Sequence, residues 1–191
     1  MSRITRFLVA GLLGGLILTA QPASAAPGLS TLNVRLSDLP KGSKLFTDDT
    51  MNAAQAEKAD KKPAHSYERL GVDLVNERAF NVAAPGASAF LLTEVVRVSS
   101  VTSATAFYAF QVQQAVKSSV GAIPFSFEHL GDQRFALGTP RSKGAQGTLV
   151  VLRQGRYLLE QVCYGPGAWC TWAQAQRLIT LVDTRLKVAE H

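Results

Sequence analysis

The chain has 191 residues, 47% of them hydrophobic and 18% charged, with a formal net charge of +6. So small a positive excess excludes the dense basic stripe of a nucleic-acid binder, and RSK at 141–143 and RQGR at 153–156 read as solvated loops. Two cysteines and the scattered His65, His129 and His191 offer no metal-type spacing, and nothing in the chain asks for a cofactor.

At the N-terminus, Arg3 and Arg6 precede an apolar run from Phe7 to Leu18, followed by Ala23, Ser24 and Ala25. A charged region, a short apolar region and an A-x-A site make an export signal over residues 1–25, the run being too short for a membrane span of about 20 residues. Removing it lowers the net charge to +4 and leaves a single domain over 26–191, long enough to bury a core. The residue after the cut is Ala26, so the lipid-attachment cysteine is missing. The expectation is a periplasmic or secreted protein with no integral span after cleavage, retention of the segment as an anchor being the competing reading.

STLNVRLSDLP alternates Leu32, Val34 and Leu36 with polar residues up to Pro40, which predicts a strand. In FTDDTMNAAQAEKADKKPAH, Asp48, Asp49 and Thr50 stand ready as N-caps of a short polar helix that Pro63 stops. From Tyr67 to Ser100 the period becomes two, and YERLGVDLVNERAFNV and AFLLTEVVRVSS flank Pro85 and Gly86 as an antiparallel hairpin. Thr102 or Ser103 then caps a helix with Ala104, Tyr108, Val112, Ala115 and Val116 on its inner face, flanked by Phe107 and Phe110.

Three apolar pieces follow Pro124: FSFEHL, RFAL and GTLVVLRQ, interrupted by Gly131–Asp132 and by RSKGAQG. A tight turn at Gln154–Gly155 predicts a hairpin in which Arg153 faces Arg156, Leu152 faces Tyr157, Val151 faces Leu158 and Val150 faces Leu159. Both faces of that hairpin are apolar, so it needs cover above and below. TWAQAQRLITLVDTRLK supplies one cover, with Trp172, Ala175, Ile179, Val182 and Leu186 on a stripe beside Leu178, and with Gln174, Arg177, Asp183 and Lys187 elsewhere. The whole reads as an α+β fold, a mixed or antiparallel sheet packed by helices in an α/β/α sandwich.

CYGPGAWC places Cys163 and Cys170 around a Gly-Pro-Gly turn between the last strand and the closing helix. Six intervening residues do not suit a C-x-x-C redox pair, so the reading is a structural disulfide, with free or intermolecular thiols as the alternative. A ring of about eight residues contributes roughly 2.5 kcal/mol in the chain-entropy model. Tyr164 and Trp169 within the loop, with Phe107 and Phe110 on the helix, are candidate ligand-binding residues, the latter two lining a groove between helix and sheet.

No catalytic motif of known type is present; GASAF at 86–90 lacks the second glycine of a nucleophile elbow. Glu128, His129 and Asp132 form the one tight acid and imidazole cluster, Ser126 lying nearby, and carry the alternative reading of an enzyme of unrecognised type.

Across residues 67–188 the succession GVDLVNERAF, LLTEVVRVSSVTSATAFYAF, HLGDQRFAL, TLVVLRQGRYLLEQV and a closing helix ending in VDTRL resembles bacterial exported domains of the PsbP-like α/β sandwich kind, including lipoprotein and sensor-type extracellular modules. The resemblance implies the fold and a non-enzymatic role, and it carries over no functional residue. The expected function is therefore an exported binding or accessory protein of the bacterial cell envelope, its partner a small apolar ligand or an envelope protein.

Overall fold

The structure, a computed structural model, describes residues 28–62, 65–84, 86–118, 123–125, 130–142, 145–166 and 170–190. The expected export signal, Ser126, Glu128, His129 and Trp169 lie outside the described residues. Within them, β1 (Lys44–Asn52), β2 (Val72–Ala84), β3 (Ala87–Val98), β4 (Ile123–Phe125), β5 (Gln133–Ser142), β6 (Ala145–Gln154) and β7 (Tyr157–Pro166) form one sheet in the order β1-β2-β3-β7-β6-β5-β4. Every pairing in it is antiparallel.

Helices cover both faces. On one lie α4 (Val101–Ser118) and the short α2 (Ala53–Ala59) and α3 (Ser66–Arg69); on the other lie α5 (Trp172–Glu190) and α1 (Leu29–Leu32). The pleat separates two cores accordingly. Leu91, Val95, Val150, Leu152 and Leu159 pack under α5, while Val75, Val96 and Leu158 pack with Ala104 and Phe107 of α4. This is the α+β sandwich that two-sided apolar strands require.

The first predicted strand is wrong. Residues 29–32 are helical and Leu36–Asp38 form a 3-10 turn. Local polar contacts take the backbone out of any ladder: Thr31 Oγ1 donates to the Gly28 carbonyl at 2.6 Å, and Asp38 accepts the Arg35 N–H at 2.8 Å. The segment packs across the α5 side of the sheet, where Arg185 forks onto both Asp38 oxygens at 2.8 Å.

Asp48, Asp49 and Thr50 cap nothing, because they belong to β1 opposite Arg78, Glu77 and Asn76. The cap is Asn52, whose side chain accepts the Gln55 N–H at 3.0 Å while Gln55 returns the bond at 2.9 Å, a reciprocal box that starts α2. The β2–β3 hairpin is as expected from Val72 onward, with Ala84 paired to Ala87, but Tyr67 stands in α3 and not in a strand. Ser100, two or three residues before the predicted caps, accepts the Ser103 N–H at 3.1 Å and opens α4. That helix turns Phe107 fully into the core and leaves Val116 55% exposed, so the expected inner face is rotated toward the aromatic.

The last hairpin turns at Gly155–Arg156, pairing Gln154 with Tyr157, Leu152 with Leu159 and Val150 with Gln161. The predicted register is off by two residues. Gly155 has φ +55°, and a two-residue hairpin turn that needs positive φ at its first central position puts the glycine there. A shift of two preserves which side chains share a face, so the conclusion that the hairpin needs cover on both sides stands. RSKGAQG is mostly strand, since β5 runs to Ser142 and β6 begins at Ala145.

α5 buries Ala175, Leu178, Ile179, Val182 and Leu186 as predicted, and Asp183 as well, against prediction, at 1% exposure. Its carboxylate accepts the Gly131 N–H at 3.2 Å and pairs with Lys187 at 2.7 Å, tying the helix to the entry of β5. At the start of α5, Cys163 and Cys170 are joined in a disulfide with Cα atoms 5.4 Å apart.

Candidate functional site

On the α4 side of the sheet, Leu92 and Glu94 of β3 stand directly opposite Val162 and Glu160 of β7. Gln111 of α4 overhangs them, and Asp60, Lys62 and Tyr67, from the end of α2 and from α3, close the third side. These residues line a cleft whose enclosed part measures about 20 Å³. A space of that size admits about one water-sized group, such as a primary ammonium.

The walls are built from aromatic packing. Tyr67, 2% exposed, meets the Phe107 ring edge-on with centroids 5.4 Å apart, and Phe110 stacks on Phe107 at 6.1 Å. Lys62 Nζ rests 5.2 Å from the centre of the Phe110 ring, a cation over an aromatic face. The Tyr67 hydroxyl donates to Asp60 Oδ2 at 2.6 Å. Burial, reinforced by the negative charges of Glu94 and Asp60 and then Glu160, raises the Tyr67 pKa far above its ordinary value, so the phenol stays a fixed donor. Three carboxylates and one ammonium therefore share a small, partly enclosed space in a chain whose net charge is positive.

The loop that carries this wall is itself held by Glu57. Its nearly buried carboxylate accepts the backbone N–H groups of His65, Tyr67 and Glu68, at 2.9 Å for His65 and 3.3 Å for Glu68. Burial opposes the charge, but those N–H groups and the charge of His65 outweigh it and hold the Glu57 pKa below the usual carboxylate range. His65 bonds Glu68 through Nδ1 at 2.5 Å, which raises its pKa against a smaller opposing effect of burial.

The candidate ligand residues separate in space. Phe107 is fully buried and Phe110 half-buried, and they back the cleft through Tyr67 and Lys62 without lining it. Tyr164 is 49% exposed on the same face, opposite Phe90 and Gly147 and two same-face steps along β7 from Glu160. Of the acid and imidazole cluster, Asp132 is described: it accepts the Gly155 N–H at 2.9 Å and pairs with Arg153 at 3.0 Å, bracing the β6–β7 turn.

The sequence reading missed Asp60, Lys62, Tyr67, Glu94, Gln111 and Glu160. A signal for two of them was present: Glu94 in LLTEVVRV and Glu160 in YLLEQV interrupt strands whose neighbours are apolar on both faces, where a charge is costly unless it has a task. Among the described residues no three His, Cys, Asp or Glu side chains are placed to hold a metal ion, and no helix is long and apolar enough to cross a membrane.

No family model and no curated protein matches the chain. Its fold is similar to that of the extracellular domain of PknH from Mycobacterium tuberculosis, with a TM-score of 0.61 at 9% identity, covering 84% of this chain and 95% of that one. An Rv0999 ortholog from Mycobacterium smegmatis aligns at a TM-score of 0.33 and 11% identity, over 81% of this chain and 93% of that one. The sandwich is thus one found in an exported bacterial domain.

Proposed function

We propose that this chain is an exported, non-enzymatic binding module of a bacterial cell envelope, a single domain over 26–191 of the PsbP-like kind, which recognises the cationic head of a small ligand. The observation that carries the reading is the Tyr67 hydroxyl, locked as a donor beside Asp60, Glu94 and Glu160 in a cleft with room for one head group. A primary ammonium offers the donors that carboxylates accept, and a short apolar stem would lie along Leu92 and Val162. A purely apolar ligand, the expectation from the sequence, would bring the carboxylates no donor. The fold shared with an extracellular domain and the reading of residues 1–25 as an export signal support the envelope setting.

Binding of agmatine, putrescine and the uncharged 1-butanol, followed by NMR shift perturbation at millimolar concentration, tests it. The two cations are expected to shift Gln111 and Glu160 resonances saturably, 1-butanol to leave them in place, and Glu160→Gln to weaken the cations about tenfold, the worth of one charge-assisted contact. Equal shifts from all three probes, or none from the cations, would overturn the proposal.

A further inference from the structure

Three adjoining polar side chains interrupt the largely apolar sheet face under α5, with Arg78 and Asn76 of β2 on their far side. Thr93 of β3 stands directly opposite Gln161 of β7, and Thr148 of β6 stands opposite Cys163, one same-face step from Gln161. Direct and diagonal neighbours of this kind have Cβ atoms about 5 and 8 Å apart. Thr93, Gln161 and Thr148 are 0%, 1% and 3% exposed. Both hydroxyls and both atoms of the Gln161 amide are buried with no hydrogen-bond partner. Leu91, Val95, Val150, Leu159 and Cys163 surround them in the α5 core.

A buried amide and two buried hydroxyls forfeit their hydration unless something replaces it. We infer that this patch is an internal hydration site, holding ordered water that bridges the Gln161 amide to the Thr93 and Thr148 hydroxyls. The amide offers a donor and an acceptor, and each hydroxyl offers both, which a water molecule meets with its two donors and two acceptors. The occupant is neutral, because among the described residues the charged groups beside the patch are already paired. Arg78, across from Thr93 on β2, is engaged by Asp48 and by the Val34 carbonyl, and Asp183 of α5 is held by Gly131 and Lys187. The site lies where the cover changes from the segment around α1, which packs on β2 and β3, to α5, which packs on β6 and β7.

Water-selective NOE spectra of the wild-type protein and thermal unfolding of three variants test the inference. A long-lived water is expected within NOE reach of the Gln161 side-chain amide protons. Thr93→Val and Thr148→Val should each lower Tm by ~2–6 °C, since each removes a partner from the water, and the combined Thr93→Val, Thr148→Val, Gln161→Met variant should recover the loss. A rise in Tm for either single valine variant would mean that the hydroxyl has no partner and the patch is dry, overturning the inference. So would the absence of a water NOE, which decides the matter even if the triple variant fails to fold.

Discussion

Replacing Phe107 with alanine is the most direct test of how the α4 side is built. The ring is fully buried, sits edge-on to Tyr67 and stacks with Phe110, so truncation removes its transfer free energy, leaves a cavity and breaks two aromatic contacts. Phenylalanine-to-alanine changes at such sites cost about 3–5 kcal/mol, the aromatic geometry accounting for roughly 0.5–1.5 kcal/mol per pair. The upper half of the range is expected here, because Tyr67 is pinned by Asp60 and by Glu57 and cannot follow the cavity inward. Urea unfolding followed by tryptophan fluorescence and circular dichroism reads the loss as a lower midpoint at unchanged slope. Val116→Ala on the same helix, 55% exposed, is the control and should change stability by less than about 0.5 kcal/mol. A loss under about 1 kcal/mol for Phe107→Ala would refute the packing and return Phe107 to the role of a ligand contact.

Replacing both Cys163 and Cys170 with serine should lower stability by roughly 2.5 kcal/mol, measured by calorimetry, and mass spectrometry of the native chain should find no free thiol. Tyr67→Phe keeps the ring and deletes the hydroxyl that serves the buried Asp60, so it should cost about 1–3 kcal/mol in the same urea assay. On the acid side, Asp48 is lowered chiefly by its bond to Arg78, while the Arg185 and Arg35 contacts of Asp38 and the backbone donors of Glu57 overcome burial. Carboxyls with depressed folded pKa values stabilise fully above the ordinary carboxylate range and lose that contribution as pH falls through their lowered values, so Tm should drop below about pH 4, with Arg78→Met flattening the drop. His65 has the opposite sign: its contribution is complete below about pH 6.5 and fades as pH rises through its raised value, a slope that His65→Gln should remove from a Tm-versus-pH curve.

Much of the architecture could be read from the chain because its signals are local. Period-two alternation identified β2 and β3, two apolar runs around a tight turn identified β6 and β7, and the 3.6-residue stripe of Ala175, Ile179, Val182 and Leu186 identified α5, since each is set within one element or one short turn. The pairing of Cys163 with Cys170 followed from their being the chain's two cysteines around one short turn. Where local patterns were ambiguous, nearby polar side chains decided: Thr31 and Asp38 converted an apparent strand into turns, and Asn52, rather than the aspartates, capped α2.

The cleft was not legible, because its residues come from α2, α3, β3, α4 and β7 and meet solely through strand order and helix placement. β3 pairs with β7 across some seventy residues of sequence, and that pairing sets Glu94 against Glu160. Asp183, polar by its letter, is buried because Gly131 arrives beside it from a distant loop. Patterns along a chain determine which side chains seek cover; which charges then share one space is decided when strands far apart in sequence become neighbours, an outcome of packing the whole sheet at once.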